Sequence, residues 1–359
     1  MKKCSTQIFL VTVFYGLSFL FPVKSSSDEF LDAVVNFIHP PGSNFSEKSE
    51  SLILGQPDTL NVNVDVPESL IVAFIDNIVI DGPGDDLLVA EHIGGDSLVN
   101  VYGSADGVFY EFFAQSATDV RIDLADFSLE TVRYIRIDGL GNGGTTPGYE
   151  FDGAVALNSM DRTFYCDTSF HLNAVLAFEF DETADDDGSS FDAVIGRPDA
   201  ESISVDSGEI LEVGFADIKV VDGPGVDLYI YEDINLDSRV RVFGSSDGAD
   251  YQLLGEPDRS FAVDLADFSM DTLRFLRFEG LDDGGEVPGF ELDSAVAINF
   301  ECVEILVGDA NLDGQVDLFD VERFVFYIVN QIYIPQVDTN HDGQIDILDI
   351  SGFIGLLGG

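Results

Sequence analysis

The sequence predicts a mainly β protein: two tandem β-sandwiches followed by a small α-helical domain built on paired acidic loops. Three observations predict it. The chain repeats itself at a constant displacement of 141 residues. Within each copy, short runs alternate apolar and polar residues between Gly-rich turns, the pattern of half-buried strands. Beyond the second copy, residues 309–359 carry two acidic loops, each followed by apolar residues at helical spacing.

The 359 residues suit two or three domains. Acidic residues number 67 against 16 basic, a formal net charge of −51, so the surface repels phosphate backbones and no nucleic-acid partner is expected. With 45% hydrophobic residues and 30 Phe, the chain is too apolar for a disordered acidic tail.

At the N-terminus, Lys2 and Lys3 precede an uncharged apolar run from Ile8 to Phe21. That run is shorter than the about 20 residues a membrane-spanning helix needs. With Val23-Lys24-Ser25 as a cleavage site, residues 1–25 read as a signal peptide. The expectation is a secreted, extracellular or cell-surface protein with no membrane segment after cleavage. Cys4 leaves with the signal, while Cys166 and Cys302 remain.

The repeat defines the next two domains, 28–160 and 163–302. Ile75 to Glu91 returns as Ala216 to Glu232, and DLADFS at 123–128 returns at 264–269. Residues 119–140 share 11 of 22 positions with 260–281, far beyond chance. VRIDLADF, VRYIRIDGL and LYIYEDI alternate as strands, and DGPG, GSADG, GSSDG and GLGNGG supply turns. The run from Asp126 to Glu130 has room for one helical turn. Cys166 and Cys302 flank the second copy, and sandwich termini lie close together, so a disulfide closing that copy is expected, two free thiols being the alternative. The first copy has Ser25 and Asp161 at the equivalent offsets and lacks the staple.

The order LGQPD, DNIVIDGPGDDLLVAE, VYGSADGVFY, DLADF, VRYIRIDGL and PGYEFDGAVAL resembles jelly-roll modules of secreted and cell-surface bacterial proteins, galactose-binding-like in appearance. The DGPG-x-DL element is its most specific part. The resemblance implies a non-catalytic extracellular module.

The tail, 308–359, carries the strongest chemistry. DANLDGQVDLFD (309–320) and DTNHDGQIDILD (338–349) place Asp at loop position 1, Asn at 3, Asp at 5, Gly at 6, Asp at 9 and Asp at 12. Ca²⁺ takes six to eight oxygen ligands, which such a loop supplies if it turns sharply at position 6. The expected ligands are Asp309, Asn311, Asp313, Gln315 (by its carbonyl), Asp317 (through water) and Asp320 in the first loop. The second offers Asp338, Asn340, Asp342, Gln344, Asp346 and Asp349. Gly314 and Gly343 permit the turn. Four carboxylates in twelve residues repel one another without a cation, so calcium is expected to fold much of this domain. Val321, Phe324, Val325 and Ile328, then Ile350, Phe353, Ile354 and Leu357, fall at helical spacing.

Two such loop–helix units resemble type I dockerins over 309–359. The resemblance implies a docking partner that is a cohesin-like or other extracellular protein. In that family, hydroxyl and basic residues at loop positions 10 and 11 contact the partner; here those positions hold Leu318, Phe319, Ile347 and Leu348.

Other features leave alternatives open. Asp81/Asp222, Asp86/Asp227, Glu91/Glu232, Glu150/Glu291 and Asp152/Asp293 are acids shared by both copies. They read either as one further calcium site per sandwich or as tight turns closed by an Asp side chain. Tyr102, Tyr110, Tyr149, Tyr229 and Tyr251 offer sugar-stacking faces or partly core strand positions. Arg133, Arg136, Arg274 and Arg277 hold acidic groups of a polymer or pair internally with Asp. No histidine of one sandwich recurs in the other and no GxSxG element occurs. The functional expectation is a non-catalytic binding or adhesion protein in polysaccharide-related assembly. The alternatives are a glycan-acting hydrolase using the shared acids and a structural surface protein.

Overall fold

Alternation sets the faces of the strands. In Val120-Arg121-Ile122 the two aliphatic residues are buried and the arginine is exposed, and the same inward–outward pattern recurs along the chain. A computed structural model describes residues 29–39, 50–58, 60–92, 97–141, 148–161, 170–179, 191–233, 238–281, 289–303, 306–330, 332, 334, 336–340 and 344–357. The signal segment, Cys166, Asp342 and Gly343 lie outside the described residues.

The first copy contains β1 (Ala33–Ile38), β2 (Val62–Val64), β3 (Ser69–Ala73), β4 (Asn77–Ile80), β5 (Leu87–Glu91) and β6 (Val99–Ser104). It continues with β7 (Glu111–Ser116), β8 (Val120–Ile122), β9 (Thr131–Val132), β10 (Tyr134–Gly139), β11 (Tyr149–Ala156) and β12 (Ser159–Asp161). The second copy repeats this with β13 (Ala174–Glu179), β14 (Ile203–Val205), β15 (Ile210–Gly214), β16 (Ile218–Val221), β17 (Leu228–Glu232) and β18 (Val240–Ser245). It ends with β19 (Gln252–Gly255), β20 (Phe261–Val263), β21 (Thr272–Leu273), β22 (Phe275–Gly280), β23 (Phe290–Ala297) and β24 (Phe300–Cys302).

All pairings between these strands are antiparallel. In the first copy a five-stranded sheet, β1-β3-β10-β6-β7, accompanies a four-stranded sheet, β2-β11-β5-β8, and a small β12-β4-β9 sheet. The second copy gives β13-β15-β22-β18-β19, β14-β23-β17-β20 and β21-β16-β24. This is a tandem pair of β-sandwiches of jelly-roll type, with a core of buried Val, Leu, Ile, Phe and Tyr between the sheets. A bulge between Val101 and Tyr102 sets Tyr102 opposite Phe112, and its counterpart sets Phe243 opposite Leu253. The expected helical turn is a 3₁₀ turn slightly upstream, Leu124–Asp126, because Asp123 caps it by accepting from the Ala125 N–H.

The tail forms α1 (Asp320–Asn330) and α2 (Ile347–Leu357). Phe324 and Phe353 pack with ring centroids 4.7 Å apart, and the Tyr327 hydroxyl donates to the Ala310 carbonyl at 3.0 Å. The helical spacing holds, but the buried face differs from the expected one. Tyr327 is buried, whereas Val321, Val325 and Ile354 are exposed. The reason is that α1 has a second contact side. Arg323 donates to the Leu176 carbonyl, and Phe326 lies 5.8 Å from Phe191, so the helix rests on the second sandwich.

The modules are joined by specific bonds. Val34 N–H donates to the Tyr231 hydroxyl at 2.7 Å, the Tyr229 hydroxyl bonds Glu50, and Arg197 pairs with Asp32 at 3.1 Å. Cys302 is disulfide-bonded, its partner lying outside the described residues.

Candidate metal centres

In the first tail loop the chain turns sharply at position 6, where Gly314 takes a φ of 84° that only glycine adopts readily. Around that turn the carboxylates accept backbone N–H groups. Asp309 takes those of Asp313 at 3.1 Å and Gly314 at 2.9 Å. Asp320, at position 12, takes those of Ala310, Asn311 and Asp317 at 2.7, 3.1 and 2.7 Å. The second loop repeats the arrangement. Asp349 accepts from Asn340 N–H at 3.2 Å and Asp346 N–H at 2.9 Å, the same loop positions 3 and 9.

Asp309, Asp320, Asp338 and Asp349 are buried, while Asn311, Asp313, Gln315 and Asp317 reach the surface to varying degrees, as do Asn340, Gln344 and Asp346. Burial pushes the Asp309 carboxyl up to about 6; the Gly314 N–H and the charge of Arg274 oppose this, and Asp320 and Asp313 add to it. Burial also raises Asp320, against three backbone N–H bonds. Buried like charges of this kind are relieved by a proton or by a cation. Carboxylate, amide and carbonyl oxygens are the donors a hard divalent cation selects, so the residues present fit calcium. The loops also share an outer feature: Leu318, Phe319, Ile347 and Leu348, at positions 10 and 11, are 74, 76, 72 and 59% exposed.

Among the described residues, three carboxylates come within 4.8 Å of one another in two places: Asp81, Asp86 and Asp123, and Asp222, Asp227 and Asp264. The four aspartates of the first tail loop do not form such a group, their oxygens being turned onto the backbone. The sandwich triads are copies of one arrangement. Buried Asp86 accepts from Gly82 N–H at 2.8 Å, Leu124 N–H at 2.7 Å and the Asn158 amide at 2.8 Å. Asp227 does the same with Gly223, Leu265 and Asn299 at 2.8, 2.9 and 2.8 Å. The DGPG turn is therefore closed by an aspartate side chain, and it is the second Asp of the motif that closes it. Asp81 and Asp222 stay exposed beside it. Asp123 and Asp264 join these triads although they stand outside the paired acids that the repeat makes conspicuous. The signal was there, since both open the repeated DLADFS element, but a cap for a 3₁₀ turn and a third carboxylate look alike in one dimension.

The remaining shared acids gather elsewhere. Asp152 accepts from Asp58 N–H at 3.0 Å, and Asp293 from Asp199 and Ala200 N–H at 3.2 and 3.1 Å. Burial raises both Asp152 and Asp293, the latter to about 7. The copies differ at one neighbour. His92 donates its N–H to the Glu150 carbonyl, and Asp233 donates to that of Glu291, so the two occupy the same register. His92 draws Asp152 down; Asp233 drives Asp293 up.

The arginines divide too. Arg133 donates to the Phe74 carbonyl and, at 2.6 Å, to that of Ile298 in the second copy. Arg274 donates to the Phe215 and Ala216 carbonyls and, at 3.0 Å, to that of Leu312 in the tail. Arg136 lies 3.3 Å from Asp138, and Arg277 donates twice to Glu212 at 2.9 and 2.8 Å. Tyr149 and Tyr229 are core residues, whereas Tyr102, Tyr110 and Tyr251 are partly exposed.

No protein-family model matches the chain, and none of the curated proteins does. Among solved structures, an allantoicase is similar at 11% identity over 77% of this chain and 95% of its own, with a TM-score of 0.24. A truncated AlyQ with CBM32 and alginate lyase domains is similar at 9% identity over 77% and 98%, TM-score 0.24. Allantoicase from Saccharomyces cerevisiae follows at 10% over 77% and 94%, TM-score 0.22. Scores this low carry no argument about activity, and the fold stands on the strand registers of the chain itself.

Proposed function

We propose that this is a secreted, non-catalytic binding protein whose calcium-loaded tail presents its two helices to an extracellular partner in polysaccharide-related assembly. The observation that carries this reading is the duplicated tail geometry. In each loop a buried position-12 aspartate gathers the N–H groups of positions 3 and 9, while positions 10 and 11 hold an exposed apolar pair. Calcium at each loop, held by Asp309, Asn311, Asp313, Gln315, Asp317 and Asp320, and by Asp338, Asn340, Asp342, Gln344, Asp346 and Asp349, neutralises acids that otherwise repel. The ion orders the loop; the chain's own Leu318, Phe319, Ile347 and Leu348 supply the contact surface. The resemblance to type I dockerins supports a cohesin-like domain as partner, one whose receiving surface is apolar where these residues land.

A further calcium in each sandwich is supported by the Asp81, Asp86, Asp123 and Asp222, Asp227, Asp264 triads. The hydrolase alternative is less well supported, because the shared acids fall into separate places in each copy instead of one constellation.

Calcium titration of the intact protein tests the central claim. Wild type is expected to bind calcium with at least two sites that vanish in the Asp320→Ala, Asp349→Ala double variant, together with ellipticity at 222 nm gained on adding calcium. Superimposable titrations of wild type and double variant would remove the metal and the docking surface built on it.

A further inference from the structure

The two five-stranded sheets share one register, and comparing their outward faces position by position separates them. In the first copy one row crosses the sheet as Asn36, Ile71, Arg136, Tyr102 and Phe112. The adjacent row is Ile38, Ser69, Asp138, Asn100 and Gln115. In the second copy the first row reads Ala177, Glu212, Arg277, Phe243 and Leu253. The adjacent row there contains Ile210, Glu279 and Arg241.

The second copy's face is closed on itself. Arg277 donates through two nitrogens to one carboxylate oxygen of Glu212, and Arg241 lies 2.9 Å from Glu256 and 3.5 Å from Glu279. The tail then covers part of it, with Arg323 of α1 reaching 3.9 Å from Glu212. The first copy's face keeps the arginine–tyrosine contact but differs around it. Ile71 stands where Glu212 would hold the arginine. Arg136 lies 3.3 Å from Asp138 on the adjacent row and over the rings of Tyr102 at 4.2 Å and Tyr110 at 5.0 Å, whereas Arg277 lies over the Tyr251 ring at 4.0 Å. Phe112 meets Tyr102 edge-on at 5.5 Å and is 50% exposed. Where the second copy has Arg241, the first has Asn100, which accepts from the Gln115 amide at 3.1 Å and donates to the Tyr102 hydroxyl at 3.3 Å.

Each of these groups has a use toward a sugar. A primary amide carries two N–H donors and two lone pairs, so the Asn100–Gln115 bond leaves both able to engage hydroxyls. Asp138, already accepting from Ser69 at 2.6 Å, offers further lone pairs beside them. The exposed Phe112 ring and the Tyr102 ring give apolar faces for sugar C–H groups. Five strands span about 19 Å, room for several sugar units laid across them. Charge decides the class: Asp138 and Arg136 offset one another on the face, and a molecule of net charge −51 repels an anionic polymer.

We propose that the outer face of β1-β3-β10-β6-β7 is a binding platform for an uncharged polysaccharide, an inference that rests on reading the protein as a binding module. The amide row reads hydroxyls, the aromatic row stacks on ring faces, and Arg136 is held in place by Asp138, Tyr102 and Tyr110.

Affinity electrophoresis of the full-length mature protein tests this. The probes are galactomannan, xylan, mixed-linkage β-glucan and starch, with alginate and polygalacturonate as acidic counterparts. Retardation by at least one neutral glycan is expected, with the affinity falling tenfold or more in Phe112→Ala and in Asn100→Ala. Leu253→Ala and Arg241→Ala, on the second copy's face, keep wild-type mobility shifts. Unchanged thermal melts show that the variants remain folded. The platform is overturned if no neutral glycan retards the protein, if only the acidic probes do, or if the second-copy variants lose as much affinity as the first-copy ones. The Asp320→Ala, Asp349→Ala variant separates this from the docking claim. Retardation that survives in it supports the platform whatever the tail does, and calcium uptake without retardation leaves the tail standing while the platform falls.

Discussion

A single side chain can carry a different cost in each copy of a repeated fold. Asp233 is 8% exposed, its Oδ1 has no hydrogen-bond partner among the described residues, and burial pushes its carboxyl from 3.8 to about 6. A folded-state value above the unfolded one means that the native state holds the proton more tightly. The stability tied to that proton is fully present below about 4 and is lost as pH rises through 6. Asp233→Asn removes the charge, so we expect the variant to match wild type at pH 4 and exceed it at pH 8 by on the order of 3 kcal/mol. Urea midpoints at the two pH values check this; an equal offset at both would mean that the proton is not responsible. The register of this position was legible in the sequence, because His92 and Asp233 sit 141 apart. That the site is buried beside Asp293 was not, since burial depends on which loops close over a strand end.

At the scale of the element, backbone approach decides what a strand end tolerates. A methyl group on Gly139 would sit 2.1 Å from the Asp65 carbonyl oxygen, and one on Gly280 would sit 1.8 Å from that of Asp206. These are backbone atoms that cannot swing away. Gly280→Ala is therefore expected to destabilise the second sandwich by about 3 kcal/mol, with Gly225→Ala as a control whose cost comes from its positive φ alone. Comparable midpoints for the two variants in chemical denaturation would count against the close approach as the cause. Strands and turns were readable from period-two alternation and from Gly, Asp and Pro clusters. The face of α1 was only partly so: spacing pointed to Val321, Phe324, Val325 and Ile328, and Phe324 is buried against α2, but contacts with the second sandwich shift the buried face to include Tyr327 and leave Val321 and Val325 outside. Helical periodicity locates a stripe only when a helix has one neighbour.

For the molecule as a whole, a net charge of −51 sets modules against one another, and scarce arginines hold the junctions. Arg133 bonds the Ile298 carbonyl and Arg197 pairs with Asp32 between the sandwiches, while Arg274 and Arg323 bond Leu312 and Leu176 between the second sandwich and the tail. Backbone carbonyls let a cation bridge modules without calling for another carboxylate. The Arg133→Ala, Arg197→Ala pair is expected to weaken the first junction by about 2 kcal/mol or more. In solution scattering this shows as a larger radius of gyration at 20 mM salt, shrinking toward the wild-type value at 500 mM as screening shortens. An identical profile to wild type at low salt would show that apolar contact alone holds the sandwiches together. The sequence by itself determined the repeat, the strand character of each copy, and the oxygen-donor loops of the tail, because periodicity and loop spacing are local properties of a chain. Only the tertiary structure decided which acids meet, which arginines bridge modules, and which of two equivalent sheet faces is left open. Those outcomes depend on residues far apart in the chain being brought within a few ångströms, and no local pattern encodes that distance.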